Sequence, residues 1–412
     1  MDTYEIVVIG AGRIGRKIAR ELSEKGKKVA IVTLNDDAAS IFERTIDALH
    51  HERPLVEPDP HGPPNVNTYR GFPRFESKEK ILSVGDSHLQ ADRFVIATGA
   101  IPAIPPVQGL DEVSYETPLS LFSQEQLPSS LVIIGGGPVA VSLACVLAKR
   151  QSSISLICAN DRLLIKEEPE LSKLISSYLE KQGVTMTLKA QPIQVRSNGE
   201  SKVVVYEKEG TRAEVEAKSL VVATGFVGHS REFGFENQGV YINGDNRVVV
   251  NEQMETAAPH IWAAGSVTGP PFHLALSQHQ ADLLIHNLTS PFFFQQRMES
   301  EPFPSVISTQ PPIATVGLKE EEARKKYKDT ACLTTPYSDE KGLIKLVGRK
   351  RSGEILGAHI IGPHSTEMIL FLNLAKRADV PFPDLLDRQH YPSPTFGEAL
   401  YHAIKGWVER GR

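Results

Sequence analysis

The chain has 412 residues, 41% of them hydrophobic and 23% charged, with a formal net charge of -5. At roughly 100 to 200 residues per domain, two or three domains are expected, each with a core of its own. The near balance of charge argues against a nucleic-acid-binding stripe, and apolar runs such as residues 6–9 and 131–134 fall far short of the roughly 18 residues of a membrane helix, so neither nucleic acid nor membrane insertion is expected.

The amino terminus runs MDTYEIVVIG into a strand, without a basic stretch, a long apolar run or a small-residue cleavage site, which predicts a cytoplasmic protein. Residues 6–9 are continuously apolar, as a strand buried on both faces requires. The turn GAGRIG follows, then a helix whose Ile14, Ile18 and Leu22 recur at i, i+4 and i+8 and whose end is marked by Gly26. Residues 29–32 make the next strand. Residues 36–64 include HHERPLVEPDPHGPP, whose five prolines rule out regular structure; His50, His51 and His61 there lack a paired-ligand spacing and read as a solvated linker rather than a metal site.

The design then recurs. An apolar strand at 131–134 leads into GGGPVA, a helix with the stripe Val139, Leu143 and Leu147, and a strand at 154–157. From the first glycine of each turn to a later Ala-Thr-Gly the spacing agrees within one residue, Gly10 to Thr98 and Gly135 to Thr224, so two nucleotide-binding units are expected. From about residue 300 the pattern changes to short strands at 342–347 and 355–361 and helices at about 365–378 and 395–408, an α+β segment without a glycine loop and suited to assembly. The predicted fold class is α/β, with two Rossmann-like dinucleotide-binding domains plus a C-terminal α+β interface (dimerisation) domain.

A G-x-G-x-x-G turn bends sharply from strand to helix, lets backbone approach a pyrophosphate without a Cβ, and aims free helix N–H groups at the anion. Gly10, Gly12 and Gly15 satisfy it, and Gly135, Gly137 and Ala140 its permitted variant. The acidic residue expected at the end of the following strand is missing from both units, where Thr33 and Cys158 stand. At the second site this removes the repulsion that excludes a 2′-phosphate, and Arg162 is nearby; Arg162 also reads as an ordinary solvated charge, so NAD and NADP both stay open. The three cysteines, Cys145, Cys158 and Cys332, lie far apart in sequence, form no CxxC-like pattern and read as isolated thiols of a reducing compartment.

Taken together, YEIVVIGAGRIG, DRFVIATGAIPAIPPVQG, LVIIGGGPVA and PHIWAAGSV resemble the FAD fingerprint, first ATG segment, NAD(P) fingerprint and second FAD segment of the pyridine nucleotide-disulfide oxidoreductases, the family of dihydrolipoamide dehydrogenase and soluble transhydrogenase. PPIATVGLKEEEA, GEILGAHIIGP and SPTFGEAL are similar to successive pieces of its interface domain. The resemblance implies a discontinuous FAD-binding domain at 1–125 and 245–297, an NAD(P)-binding domain at 126–244, and an interface domain at 298–412 that makes a homodimer. It implies FAD contacts at Gly10, Gly12, Gly15, Thr33, Thr98, Gly99, Gly265 and Ser266, and NAD(P) contacts at Gly135, Gly137, Ala140, Arg162 and Gly225.

The chain departs from the family pattern where the family does its chemistry. Residues 34–64 contain no cysteine where the family carries two cysteines and a lysine on a helix, and Ser142 stands at the glutamate that pairs with that lysine. In HYPSPTFGE, Ser393 stands at the family's catalytic histidine and Glu398 at its glutamate; His390 or Tyr391 would serve only if the loop shifted. Ser266 replaces a ribitol-binding aspartate, and Phe226 an arginine that often follows the second ATG. Without a thiolate there is no exchange with a substrate disulfide. The expected activity is therefore an FAD-dependent NAD(P)H oxidoreductase passing electrons from flavin to a small-molecule electron acceptor: a second nucleotide, a quinone or another compound. No catalytic residue is assigned. The joint replacements at Thr33, Ser142, Ser266 and Ser393 support a second reading, a nucleotide-binding or regulatory relative without turnover.

Overall fold

The computed structural model describes residues 1–34, 65–77, 79–121, 127–150, 152–299, 303–338 and 341–411. The expected linker at 36–64, with its three histidines, lies outside the described residues. In chain order come β1 (Asp2–Ile9), α1 (Arg13–Glu24), β2 (Val29–Thr33), β3 (Asn67–Arg70), β4 (Pro73–Arg74), β5 (Ile81–Val84), β6 (Ser87–Ile96) and β7 (Ala100–Pro102). Next are β8 (Ser130–Ile134), α2 (Pro138–Lys149), β9 (Ser153–Cys158), α3 (Pro169–Lys181), β10 (Thr185–Leu188), β11 (Ala190–Asn198), β12 (Ser201–Lys208), β13 (Thr211–Ala217) and β14 (Ser219–Val222). β15 (Phe226–Gly228), β16 (Ile261–Ala263) and α4 (Leu274–Thr289) follow. Last come β17 (Ser305–Ile307), β18 (Ile313–Gly317), α5 (Glu320–Lys326), β19 (Thr330–Tyr337), β20 (Gly342–Arg349), β21 (Ile355–Ile361), α6 (Ser365–Arg377), α7 (Phe382–Arg388) and α8 (Phe396–Gly411).

These elements form two compact units, one from the described residues of 1–103 and 226–300, the other from those of 104–225 and 301–412. The first holds a sheet in the order β3-β2-β1-β6-β5-β4, with β16 also paired to β6. Strands β2, β1, β6 and β16 run parallel, with Val8 opposite Ile31 and Val95. The continuous apolar run of β1 is explained by burial on both faces. Ile6 and Val8 pack with Ile18 and Leu22 of α1 and Leu284 of α4, whereas Val7 and Ile9 pack with Phe75, Phe94 and Phe233. Each such side chain contributes about 1.5–3 kcal/mol by leaving water.

The second unit contains a parallel sheet β10-β9-β8-β14, an antiparallel meander β11-β12-β13 and an antiparallel sheet β17-β18-β21-β20-β19. Here α2 departs from expectation. Instead of one apolar stripe, residues 140–147 are all buried, because Ile307, Ile313 and Ile361 of the C-terminal strands join the core around α2. The C-terminal segment therefore shares a unit with the second nucleotide segment. In these units the described residues of 104–121 lie in the second and residues 226–244 in the first. The latter follows from β15, which pairs antiparallel with β7. Among the described residues no helix is long and apolar enough to cross a membrane.

Candidate dinucleotide-binding site

β1 delivers the chain to Gly10, whose N–H donates to Val32 O at 2.9 Å and whose φ is +112°. A Cβ at Gly10 would lie 2.4 Å from Ala97 O, and one at Gly15 would lie 1.9 Å from Gly10 O, so both positions exclude any side chain. Gly12 is different. It caps α1 from extended backbone, a Cβ there would meet nothing within 4 Å, no side chain caps the helix, and no acidic residue stands in its first turn. The N-terminal N–H groups of α1 thus meet the requirements of an anion site, with the helix dipole behind them.

The second turn repeats this construction. Gly135 N–H donates to Ile157 O at 2.9 Å, and a Cβ there would lie 2.2 Å from Ala223 O. Gly137 caps α2 with Pro138 in the first turn and no side-chain cap, and a Cβ on it would meet nothing within 4 Å. Ala140 is buried and its methyl fits beside Gly135. Between them Gly136 has no room for a Cβ, which would lie 2.2 Å from Cys158 Sγ. The Ala-Thr-Gly segments close both turns in the same way, through Ala97 N–H to Ile9 O and Ala223 N–H to Ile134 O, each 2.8 Å.

Most expected FAD contacts in the first unit sit where a parallel strand ends, Gly10 after β1, Thr33 at the end of β2, Thr98 and Gly99 after β6, Gly265 and Ser266 after β16, whereas Gly12 caps α1 and Gly15 lies in its first turn. In the second unit Gly135 follows β8, Cys158 ends β9 and Gly225 follows β14. Ligands of open α/β sheets bind outside these carboxyl ends. Thr33 is buried. Thr98 Oγ1 donates to His229 O at 2.5 Å and His229 N–H to Gly99 O at 3.0 Å, so this hydroxyl holds the segment that enters β15's neighbourhood. Gly99 and Gly225 have φ of +76° and +118°, with open space where a Cβ would stand.

Gly265 (φ +86°) lies over Ile14 of α1, 3.4 Å from where its Cβ would stand. Its N–H donates to Gln280 Oε1 at 2.8 Å, its carbonyl accepts from Thr268 Oγ1 at 2.9 Å, and Gln280 Nε2 donates to Thr268 Oγ1 at 3.2 Å. Gln280 on α4 was not expected from sequence, since nothing there marks its helix position as one that the fold buries. Ser266 itself is half-buried at the start of a short 3₁₀ turn.

Arg162 is half-buried rather than a freely solvated charge: Nη1 donates to Leu164 O (3.2 Å), Glu167 O (2.9 Å) and Ser172 Oγ (3.0 Å), and Nη2 to Ile165 O (2.9 Å). Most of its donors are used to fold the loop after β9, and that loop touches the glycine turn through Leu164 N–H to Gly136 O at 2.7 Å.

The family profile described as pyridine nucleotide-disulphide oxidoreductase matches residues 64–284, more than half of the chain, and the profile of the same family's dimerisation domain matches residues 303–404. The chain belongs to the pyridine nucleotide-disulphide oxidoreductase family. Members of this family bind FAD and NAD(P)H. A TrkA-N domain profile matches residues 6–52, across the first glycine turn. Mercuric reductase from Streptomyces lividans is 30% identical over 325 residues, 77% of this chain and 68% of that protein. Mercuric reductase from Bacillus cereus is 29% identical over 335 residues, 79% of this chain; the chain spans 53% of that relative's length. Among solved structures, the Cu(II) complex of the HOCl-induced flavoprotein disulfide reductase RclA from Escherichia coli superposes with a TM-score of 0.86 at 23% identity, covering 98% of this chain and 99% of that one. This likeness shows a shared mixed α/β fold.

Within the family frame, Ser142 is buried in α2. Ser393 is exposed, and Thr395 Oγ1 accepts from Gly397 N–H at 3.1 Å beside the start of α8, where half-buried Glu398 donates its N–H to Thr395 O at 3.1 Å. His390 is exposed, while Tyr391 OH donates to Leu385 O at 3.2 Å. All three thiols are free, with Cys145 and Cys158 buried and Cys332 half-buried. Burial pushes Cys145 up to about 11 and Cys332 up to about 12, and raises Cys158 as well, so each is a protonated thiol at neutral pH.

Proposed function

We propose that this chain is an FAD-dependent NAD(P)H oxidoreductase that passes electrons from flavin directly to a diffusible acceptor other than a disulfide, such as a second nucleotide or a quinone. The observation that carries this reading is the doubled glycine turn, in which the flanking glycines are locked by backbone while Gly12 and Gly137 leave an uncapped helix end open. Both ends fit a pyrophosphate. On this reading Gly10, Gly12, Gly15, Thr33, Thr98, Gly99, Gly265 and Ser266 hold FAD, and Gly135, Gly137, Ala140 and Gly225 hold NAD(P), with Arg162 acting through its loop.

Hydride acceptance from NAD(P)H and delivery of electrons to an acceptor are the chemistry that FAD supplies when bound. The protein contributes binding and orientation. Thr33 and Ser266 offer neutral hydroxyls where a carboxylate would bind more strongly, a loss of about 1–2 kcal/mol apiece, so FAD is held less tightly than charged acceptors would hold it. The acceptor assignment rests on sulfur: three separate thiols, each protonated at neutral pH, provide neither a dithiol nor a thiolate to attack a disulfide. For assembly, Leu370 and Leu374 lie one turn apart on α6 within the segment matched as a dimerisation domain, 60% and 67% exposed, and we assign that face to a second copy of the chain.

Turnover decides the reading. Purified FAD-loaded protein should oxidise NADH or NADPH with a quinone or an artificial dye and give no reaction with lipoamide, glutathione disulfide or Hg(II). Disulfide or mercuric reduction would overturn the acceptor assignment. Tight nucleotide binding with no turnover on any acceptor would instead identify a regulatory relative, the reading that the replacements at Thr33, Ser142, Ser266 and Ser393 favour.

A further inference from the structure

Lys345 stands in the middle of β20 and is only 2% exposed, a rare place for an ammonium group. Its Nζ donates to Glu168 Oε2 at 2.8 Å and to both carboxylate oxygens of Glu170, at 2.8 and 3.0 Å, and lies 2.8 Å from Glu320 Oε2. Glu168, 3% exposed, also accepts the Glu320 N–H on Oε1 at 2.6 Å. Three carboxylates from the loop after β9, the first turn of α3 and the start of α5 therefore meet one cation supplied by the C-terminal sheet. Packing alone does not call for this arrangement, since apolar side chains of similar volume would fill the space at least as favourably. What the ions add is a fixed register for the groups they hold.

Glu168 ends the loop that follows β9, and that loop is hydrogen-bonded within itself and, at Leu164, to the second glycine turn. Glu167 O accepts from Arg162 Nη1 at 2.9 Å, Glu167 N–H donates to Leu164 O at 2.8 Å, and Leu164 N–H donates to Gly136 O at 2.7 Å. Gly136 sits between Gly135 and Gly137, pressed on Cys158 Sγ with no room for a Cβ. We infer that Lys345, through Glu168 and this loop, is a positioning residue for the NAD(P)-binding turn. The inference rests on the reading of that turn as the NAD(P) site.

The test compares Lys345→Met, Lys345→Arg and Glu168→Gln with the wild type in the full-length, FAD-loaded protein. NADH and NADPH are titrated, flavin per chain is measured, and KM and kcat are separated with an artificial acceptor. Lys345→Met should raise the Kd and KM for the preferred nucleotide about tenfold or more, with kcat at saturation within about twofold and flavin content unchanged. Lys345→Arg should stay within about threefold of wild type because the charge is kept. Should Lys345→Met fail to fold, Glu168→Gln, which keeps size and an acceptor for the Glu320 N–H, should still weaken nucleotide binding about three- to tenfold. Wild-type nucleotide affinity in every variant that folds, or parallel loss of flavin and nucleotide, would overturn the inference. Gly137→Leu keeps the two failures apart: if that change leaves nucleotide binding intact, it is the site assignment that has failed.

Discussion

The two glycine turns share a plan and differ in tolerance. In the first, α1 comes so close to Gly10 that no atom beyond hydrogen fits at Gly15, whereas the second turn accommodates the methyl of Ala140. The helices differ too: α1 buries one face, on Gly15, Ile18, Ala19 and Leu22, while residues 140–147 of α2 are all buried in a core that the C-terminal strands join. One phosphate-binding design is thus held by helix-to-strand contact in one unit and by a surrounding core with a distant ion cluster in the other. The motif specifies the turn; the surroundings decide what else it tolerates.

The sharpest way to break this comparison is a paired substitution. Gly15→Ala forces a backbone clash and should cost about 3 kcal/mol or more in a urea denaturation series, against about 1 kcal/mol for Ala140→Gly. Equal costs would erase the distinction. The middle glycines should behave in the opposite sense. A Cβ at Gly12 or Gly137 meets no atom within 4 Å, so Gly12→Leu and Gly137→Leu should both fold, while Gly12→Leu weakens flavin binding and Gly137→Leu weakens NAD(P) binding on the order of 100-fold, about 2.7 kcal/mol, each with little effect on the other ligand. Dialysis and titration of both ligands would read this directly.

Acid should act on the second unit. Burial holds His359 below the ordinary histidine value of 6.5, its Nδ1 has no hydrogen-bond partner among the described residues, and Glu168, Lys345, Lys319 and Glu322 act on it. Hydrogen bonding from Lys345 holds the Glu320 carboxyl below its ordinary 4.5. Both folded-state values lie below the unfolded ones, so the unfolded chain binds more protons and stability rises with pH. The histidine contribution is complete above about pH 6.5 and is lost as pH falls towards its folded value; the carboxylate contribution follows below about pH 4.5. Melting temperature should therefore fall steadily from pH 7 to pH 4, and a melting temperature that rose on acidification would contradict it. The smallest effect expected is at Arg162: since most of its donors bind its own loop, Arg162→Met should weaken NADH and NADPH alike and leave their affinity ratio within about twofold. A selective loss of NADPH would restore it as a 2′-phosphate ligand.

Much of this was legible in the sequence because the turns obey local rules. Gly10, Gly12, Gly15, Gly135 and Gly137 follow apolar strands and precede helices, and the Ala-Thr-Gly spacing announced the strand that closes each turn. The helix stripe of α2 misled, since apolar periodicity cannot report that Ile307, Ile313 and Ile361 arrive from far along the chain to cover the other faces. The partners of Arg162 were hidden for the same reason: three are backbone carbonyls, which leave no mark on side-chain pattern, and the fourth is Ser172 Oγ in the next helix. Gln280 and the Lys345 cluster were invisible because a polar residue in a strand or helix gives no sign of whether the fold buries it. The pairing of β7 with β15 left no mark either, because strands of only three residues each meet across a long stretch of sequence.

The most direct measurement is the visible absorbance spectrum of freshly purified protein, supplemented with FAD and then freed of unbound FAD by gel filtration, before and after anaerobic addition of NADH and then NADPH. If the proposed function holds, the flavin band bleaches with at least one nucleotide in the wild type, bleaches in Gly137→Leu only at on the order of 100-fold more nucleotide, and is largely lost with the unbound FAD in Gly12→Leu. A protein that stays colourless with FAD, or a band that no nucleotide bleaches, would contradict it.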